Sequence, residues 1–295
     1  MGIAVGIDLG TTNTVVAAVK GGRAVTLRDD QGRWLLPSVV SFHPSGTVIV
    51  GDAAKARRVI DAKNTVYSVK RLIGRAWQSS EVQAAVKRVP FVLKEGDKDT
   101  TVVAARGSEY TLPEISAFVL RRAKAIAEAA LGDSVDRAVI TVPANFNDLQ
   151  RASTKTAAKL AGLDVLRIVN EPTAAALAYG QAVQGAERMA VYDLGGGTFD
   201  ITLLDLNEGV FEVLATSGDT ALGGDDIDTF IADWISTQVL KGHRFDARAD
   251  PEAYGRLRIV AEEVKIRLST ETESAVDVPE LGYEAGGSPC RSGSR

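Results

Sequence analysis

The sequence predicts a duplicated α/β fold in which two lobes flank a ligand cleft. Two stretches, "VGIDLGTTNTVVAAV" at residues 5–19 and "VYDLGGGTFDITLLDL" at residues 191–206, both place Asp-Leu-Gly between apolar, strand-like runs. The predicted order of strands and helices also begins again in the second half of the chain. Repetition of one supersecondary pattern within a chain is typical of a duplicated domain.

The first third of the chain predicts a sheet followed by a mixed segment. Residues 3–27 form a predicted three-stranded meander with turns at residues 9–12 and at Gly21-Gly22. "PSVVSF" and "TVIVG" predict further strands, and "VYSVKRLIG" at residues 66–74 predicts a basic helical piece. Residues 85–110 alternate irregularly and give the least clear pattern in this part of the chain.

From Thr111 the pattern is clearer. Thr111 and Glu114 have capping-box spacing and begin a predicted helix that Gly132 ends. The next predicted elements are a strand, a helix, a strand and a helix, namely "RAVITVP", residues 148–161, "DVLRIVN" and "EPTAAALAYG".

The second half predicts a new meander and two long helices. Its strands are expected at residues 189–194, 198–206 and 210–216, and its helices at residues 226–240 and 251–268. The expected domains are a first lobe at 1–185 with an inserted subdomain at about 39–110, a partial second lobe at 186–278, and a tail at 279–295. Because the tail is rich in Gly and Ser and lacks periodicity, it is expected to be disordered or not native to the fold.

Composition narrows the class of protein. A net charge of −4 and a pI near 5.4 disfavour general nucleic-acid or membrane-surface binding. With Cys290 as the one cysteine and only two histidines, neither an internal disulfide nor a zinc site is expected. The start lacks the basic segment and apolar core of a signal peptide, so the protein is expected to be soluble and cytoplasmic.

The two glycine turns point to a phosphate ligand. We call residues 10–13 the first glycine loop and residues 195–198 the second glycine loop. Successive backbone N–H groups without Cβ atoms form concave anion sites. A lone glycine run is more often a plain turn, but the doubled motif favours a polyphosphate held between two lobes. Asp8 and Asp193 would then hold Mg²⁺ largely through its waters.

Six ordered motifs resemble one family. "GIDLGTTNT", "VKRLIG", "VITVPANFND", "VNEPTAAALAYG", "VYDLGGGTFD" and "GDTALGGDD" closely resemble the nucleotide-binding domain of DnaK-type heat-shock-seventy chaperones, over about residues 2–269. The resemblance implies an actin-like, sugar-kinase-like ATPase fold with MgATP or ADP at the base of its cleft. It also implies slow ATP hydrolysis in the service of protein folding and the stress response.

The resemblance implies roles for individual residues. The implied catalytic residues are Lys70, Glu171, Asp8, Asp193 and Thr198. The implied nucleotide contacts are Gly10, Thr11, Thr12, Asn13, Gly195, Gly196, Gly197 and Thr198, with Glu262, Lys265 and Ser269 on the adenosine side. The implied coupling and partner residues are Pro143 and Arg151 for interdomain switching, and Arg167, Asn170 and Thr173 for a J-domain co-chaperone.

The sequence departs from the family pattern in two places. The family domain normally continues beyond residue 269 with a second adenosine loop, a linker and a peptide-binding domain, so a truncated second lobe is expected. Asn145 stands where the family usually has an aromatic residue, and local repacking without lost chemistry is expected there. For a full-length protein of this family, the resemblance also implies a nucleotide exchange factor as a partner. It implies that unfolded client proteins bind only through the peptide-binding domain, which is not expected in this sequence.

Three alternatives remain open from the sequence. They are a non-catalytic nucleotide-binding or partner-binding fragment, a sugar or acid kinase on the same fold, and an actin-like filament former.

Overall fold

The computed structural model describes residues 2–180, 187–207, 210–283 and 289–294. The first lobe contains the strands β1 (Ile3–Leu9), β2 (Asn13–Lys20), β3 (Arg23–Thr26), β4 (Leu36–Pro37), β5 (Val40–Phe42), β6 (Val48–Val50), β7 (Thr65–Val66), β8 (Val92–Glu95), β9 (Thr101–Ala105), β10 (Ser108–Thr111), β11 (Val135–Val142) and β12 (Asp164–Asn170). Its helices are α1 (Asp52–Ile60), α2 (Ser80–Val86), α3 (Leu112–Leu131), α4 (Asp148–Leu160) and α5 (Glu171–Gly180).

In the described residues, the second lobe begins with three strands, continues with two helices and ends with two strands. Its strands are β13 (Glu187–Leu194), β14 (Phe199–Asn207), β15 (Val210–Asp219), β16 (Val276–Tyr283) and β17 (Pro289–Ser294), and its helices are α6 (Gly224–His243) and α7 (Pro251–Arg267). None of the helices in the described ranges is long and apolar enough to cross a membrane.

A six-stranded mixed sheet organises the first lobe. Its order is β12-β11-β1-β2-β3, with β4 on β2; β1, β11 and β12 run parallel, and β1 to β3 form the predicted antiparallel meander. Val5, Ile7 and Leu9 alternate inward along β1 and join a continuous apolar core beneath α3 and α4. The parallel order brings the carboxyl ends of β1, β11 and β12 to one edge, where the candidate site lies.

The helix ends of the first lobe follow their sequence signals. Thr111 Oγ1 accepts from the Glu114 backbone N–H at 3.3 Å, and Glu114 Oε2 accepts from the Thr111 N–H at 2.7 Å, so the predicted capping box is confirmed. Gly132 ends α3 with φ of 71°, in the left-handed region that suits glycine. A second capping box, between Asn147 and Gln150, begins α4.

The inserted segment differs from the sequence-based prediction. Residues 66–74 were predicted as helical, but only a single 3₁₀ turn at Val69–Arg71 forms there. Ser68 lies at φ of 56°, which interrupts any helix running from β7. Residues 85–110, where the sequence pattern was least clear, contain the end of α2 and most of a three-stranded sheet ordered β10-β9-β8.

The second lobe begins with the second predicted meander. β13, β14 and β15 form an antiparallel sheet in which β14 is central, and β15 extends to Asp219, three residues past its predicted end. Met189, Leu204 and Leu206 pack with Ala176 of α5, which links the sheet to the first lobe. α6 and α7 pack against each other around a separate apolar core.

The expected disordered tail is partly structured. Residues 279–283 continue β16 and residues 289–294 form β17, which pairs antiparallel with it; residues 284–288 and Arg295 lie outside the described residues. Val276, Val278 and Leu281 are buried in the core that α6 and α7 form. Val276 and Val278 precede the Gly/Ser-rich tail and Leu281 lies at its start, and burial of these three apolar side chains holds β16 on the two helices.

Candidate functional site

The Asp-Leu-Gly motifs lie at corresponding strand ends in the two lobes. Asp8 is near the end of β1 and Asp193 near the end of β13, and each strand leads directly into a glycine loop. Thr141 of β11 lies beside Asp8 and donates from Oγ1 to Asp8 Oδ1 at 2.8 Å. Thr141 therefore orients the Asp8 carboxylate, a role that the sequence motif did not reveal.

The two glycine loops contact each other across the lobes. A Cβ on Gly196 would lie 1.8 Å from Thr12 Oγ1, and a Cβ on Gly197 would lie 2.6 Å from Thr11 Cγ2. Neither glycine has a positive φ. The glycines are therefore required by the close approach of two backbones, and a left-handed backbone conformation is not their reason.

The start of α6 supports the second glycine loop from below. The N–H groups of Gly224 and Asp225 donate to the carbonyls of Gly195 and Gly196 at 3.0 and 2.8 Å. A Cβ on Gly223 would lie 2.6 Å from the Gly196 carbonyl carbon, so this turn also needs glycine. The "LGGDD" motif thus holds the second glycine loop in place.

Arg71 joins the lobes beside these loops. Its Nη2 donates to Asp226 Oδ2 at 2.5 Å, and its Nη1 donates to Asp226 Oδ1 at 3.3 Å. Its Nη2 also lies 3.5 Å from the Gly196 carbonyl oxygen. Arg71 was not among the residues that the sequence singled out.

Lys70 and Glu171 form a buried ion pair under the acidic strand ends. Lys70 Nζ lies 2.6 Å from Glu171 Oε1, and their side chains are 9% and 12% exposed. Burial raises the pKa of Glu171 to about 7; Lys70 opposes this rise, and the charges of Asp8 and Asp193 add to it. The structure therefore brings four of the expected catalytic residues into one electrostatic cluster.

Asp200 belongs to the same cluster, although the sequence analysis missed it. It lies directly opposite Asp193 in the β13–β14 hairpin and is only 2% exposed. Burial raises the pKa of Asp200, the Asp193 charge adds to the rise, and Lys70 opposes it. Residues that pair across the hairpin place their side chains on the same face, so the pairing of 193 with 200 could have identified it.

The expected adenosine-side residues point in different directions. Glu262 Oε1 lies 2.6 Å from Lys55 Nζ, and Glu262 Oε2 lies 3.2 Å from Arg58 Nη1, so Glu262 ties α7 to α1 of the first lobe. Lys265 Nζ lies 2.7 Å from Asp228 Oδ1 and donates to the Gly224 carbonyl at 3.0 Å. Ser269 is exposed beyond the end of α7.

Burial acts to raise the pKa of Glu262, but its cationic neighbours outweigh that effect. The ammonium of Lys55 contributes most to the opposing shift, followed by Arg58 and Lys265, and the net pKa of Glu262 is lowered. Glu262 is therefore a charged anchor between the lobes in this arrangement.

The expected coupling residues divide into a connected pair and separate positions. Arg151 donates to the carbonyls of Phe146 and Ala144 at 2.9 and 3.2 Å, and to Asn170 Oδ1 at 2.9 Å. Pro143 is buried at the end of β11. Arg167 is exposed on the edge strand β12, and Thr173 is half-buried on α5.

The residues at the site suit a Mg²⁺–phosphate ligand, provided that the glycine loops separate. Within the described ranges no group of three or more acidic, His or Cys side chains could hold a metal ion. Two carboxylates at strand ends nevertheless match Mg²⁺, which keeps several waters and takes phosphate oxygens as ligands. Thr12 Oγ1 is buried without a hydrogen-bond partner against the second glycine loop, which leaves a donor for an anion.

Two cavities lie near the glycine loops, and they differ greatly in volume. The space bounded by Thr11, Thr12 and Glu262 measures about 20 Å³, which cannot hold a nucleotide. A larger cavity of about 530 Å³ lies between α2 and the start of α6, with Arg71 in its wall. Beside Thr11 and Thr12, the space on the Glu262 side is therefore too small for a nucleotide in this arrangement.

Comparison with known families agrees with this architecture. A family model described as Hsp70 protein matches residues 4–290, which is nearly the whole chain and extends past the Ser269 at which the motif resemblance ended. The predicted fold class is confirmed: mixed sheets and helices in two lobes, as in the actin-like ATPase fold of that family. Proteins of this family are nucleotide-binding chaperones. The chain belongs to the Hsp70 protein family.

Proposed function

We propose that this chain is the MgATP-binding and ATP-hydrolysing module of a DnaK-type chaperone. The buried Lys70–Glu171 pair, beside Asp8, Asp193 and Asp200 at the foot of two facing glycine loops, carries the proposal. Phosphoryl transfer depends mainly on positioning and charge neutralisation, and this cluster offers both a cation and oriented carboxylates. The lobes, at about 1–185 and 186–278, would act as the two jaws of the nucleotide cleft.

Each residue has a distinct part in the proposed reaction. The N–H groups of the two glycine loops and the hydroxyls of Thr11, Thr12 and Thr198 would bind the phosphates. Lys70 would neutralise charge that develops on the transferring group, and Glu171 would orient the attacking water by accepting a hydrogen bond from it. Mg²⁺, when bound, would neutralise phosphate charge, and Asp8 and Asp193 would hold it through its waters.

The test is Mg²⁺-dependent turnover of ATP by the 295-residue chain. Phosphate release should require Mg²⁺ and should fall at least tenfold in Asp193→Asn. Asp205→Asn is the matched control, since Asp205 lies on β14 but pairs with Arg188 at 2.7 Å. Absence of Mg²⁺-dependent release by the unaltered chain would reject hydrolysis, and equal rates in both variants would reject the role of Asp193.

A second candidate function is nucleotide or partner binding without turnover. The contact of Gly196 and Gly197 with Thr11 and Thr12 favours it, because the loops must separate before phosphate can enter. Calorimetry distinguishes the two: saturable ATP binding without phosphate release would support the binding module.

Partner binding is proposed from positions alone. Arg167 and Thr173 lie on β12 and α5 on either side of Asn170, which Arg151 holds. A J-domain co-chaperone would dock there, and a nucleotide exchange factor would act by separating the lobes. The compartment proposed for these interactions is the cytoplasm.

A further inference from the structure

Asn145 connects the first lobe to the acidic cluster of the second. It lies in the loop between β11 and α4, and its Nδ2 donates to Asp200 Oδ1 at 2.8 Å. The departure from the family pattern at this position is thus in direct contact with the site, and more than local repacking takes place there.

The space for this contact is provided by a glycine. Gly218 of β15 pairs with Asp200, and a Cβ on Gly218 would lie 2.9 Å from Asn145 Nδ2 and 2.2 Å from the Phe199 carbonyl oxygen. Any side chain at 218 would push the amide away from the carboxylate. The strand therefore leaves open the position that the amide of the other lobe takes.

The loop that carries Asn145 is braced on both sides. Arg151 donates to the carbonyls of Ala144 and Phe146, the two neighbours of Asn145 in the chain. The same guanidinium reaches Asn170, the residue before Glu171. Side-chain and main-chain contacts thus run from the start of α5 to Asp200 in the second lobe.

We propose that Asn145 is a positioning residue that orients the Asp200 carboxylate beside Asp193 and links the two lobes at the site. A neutral amide suits this task because it donates a hydrogen bond without adding a positive charge that would compete with Lys70 for the carboxylates. An acidic side chain at 145 would instead meet Asp200 as a like charge, within the field of Asp193. For the rate of ATP turnover, this inference rests on the proposed function.

The test is an exchange of the two groups in the 295-residue chain, with urea unfolding at pH 8 as the readout. Asn145→Asp should lower the folding equilibrium constant about tenfold, because two carboxylates would replace an amide–carboxylate pair. Asn145→Asp with Asp200→Asn restores an amide and a carboxylate and should recover most of that loss. Asn145→Asp with Asp205→Asn, on the same strand, should recover none of it.

The proposal would be overturned if Asn145→Asp lowered the folding equilibrium constant equally in the unaltered chain and in a chain that already carries Asp200→Asn. If Asn145→Asp alone does not fold, folding of the exchanged double variant supports the proposal, and failure of both contradicts it. In turnover, Asn145→Leu should lower kcat about tenfold and change KM less than about threefold, since Asp200 lies beside Asp193, which would hold Mg²⁺ at the transferring phosphate. A chain that hydrolyses no ATP would reject the proposed function, whereas the exchange experiment would still decide the contact.

Discussion

Gly196 and Thr12, from opposite lobes, approach so closely that a Cβ on the glycine would lie 1.8 Å from the threonine hydroxyl. Gly195, its neighbour, has ordinary clearance, with the nearest atom 3.5 Å from its Cβ position. The run of three glycines therefore contains positions with different steric demands. Substituting Gly195 and Gly196 one at a time can therefore separate the effect on packing between the lobes from the effect on phosphate access to the backbone.

Gly196→Ala should lower the free energy of unfolding by about 1–3 kcal/mol, because the methyl group overpacks the contact with Thr12. Gly195→Ala should change that free energy by less than about 0.5 kcal/mol, since a Cβ there would make only an ordinary van der Waals contact and the position needs no left-handed backbone. If the second glycine loop binds phosphate, Gly195→Ala should nevertheless weaken ATP binding about tenfold. Urea unfolding and calorimetry on both variants check this, and unchanged ATP affinity in Gly195→Ala would argue for a plain turn.

Lys70→Ala should reduce kcat for ATP hydrolysis at least 100-fold and change the Kd for ATP less than about threefold. The ammonium lies on Glu171, under the strand ends that carry Asp8 and Asp193, so it acts chiefly on charge that develops in the transition state. Lys94→Ala is the control, since Lys94 is exposed and pairs with Glu109 at 3.0 Å. Single-turnover kinetics and equilibrium binding separate the two effects, and an unchanged chemical step in Lys70→Ala would remove Lys70 from the mechanism.

The local signals in the sequence predicted most of the fold, and the family resemblance named residues that the structure brings together at the candidate site. Thr111 and the doubled Asp-Leu-Gly turns are examples of such local signals. Helix caps and turns depend on contacts between residues that are close in the chain, so they can be recognised from the sequence alone. Lys70 and Glu171 were recognised through their motifs, and the structure brings them within 2.6 Å. Their burial, and the raised pKa of Glu171 that follows from it, depends on the packing of separate elements.

Contacts between distant segments were not predictable in the same way. Asn145 with Asp200 and Glu262 with Lys55 each join residues from different lobes, and no spacing rule encodes such a pair. β16 was missed for a different reason: its buried residues, Val276, Val278 and Leu281, are few and lead into a Gly/Ser-rich stretch. The composition of that stretch predicted disorder, whereas packing against the apolar surface of α6 and α7 holds β16 in place.

Leu281→Ala should lower the free energy of unfolding by about 2–5 kcal/mol, because Leu281 is fully buried in the core of α6 and α7. Leu268→Ala is the matched control: Leu268 is 44% exposed, and its loss should cost well under about 1 kcal/mol on the scale of surface substitutions. Urea unfolding followed by tryptophan fluorescence, to which Trp234 on α6 contributes, measures both. Equal, small effects of the two substitutions would mean that residues 276–283 do not pack on these helices in solution.

Glu171 should make the stability of the protein fall as the pH rises from about 4.5 to about 7. Burial raises its pKa in the folded state to about 7 from an ordinary value of 4.5, and Lys70 offsets only part of that rise. In this window the folded state binds a proton that the unfolded state has lost, so each step up in pH favours unfolding, and the dependence ends above the folded-state pKa. A shift of this size corresponds to about 3 kcal/mol.

Glu171→Gln should abolish that dependence, because the amide does not titrate in this range. The free energy of unfolding, measured in urea at pH 5 and pH 8, should therefore fall by about 2.5 kcal/mol more in the unaltered chain than in Glu171→Gln, since part of the effect lies below pH 5. Glu252→Gln, at an exposed carboxylate, changes the net charge equally and should keep the full dependence. Since the other carboxylates titrate in all three proteins, the difference between the profiles isolates Glu171. Parallel profiles for the unaltered chain and Glu171→Gln would mean that Glu171 is already charged at pH 5, held so by Lys70, and that it is poised to accept a hydrogen bond from water at every physiological pH.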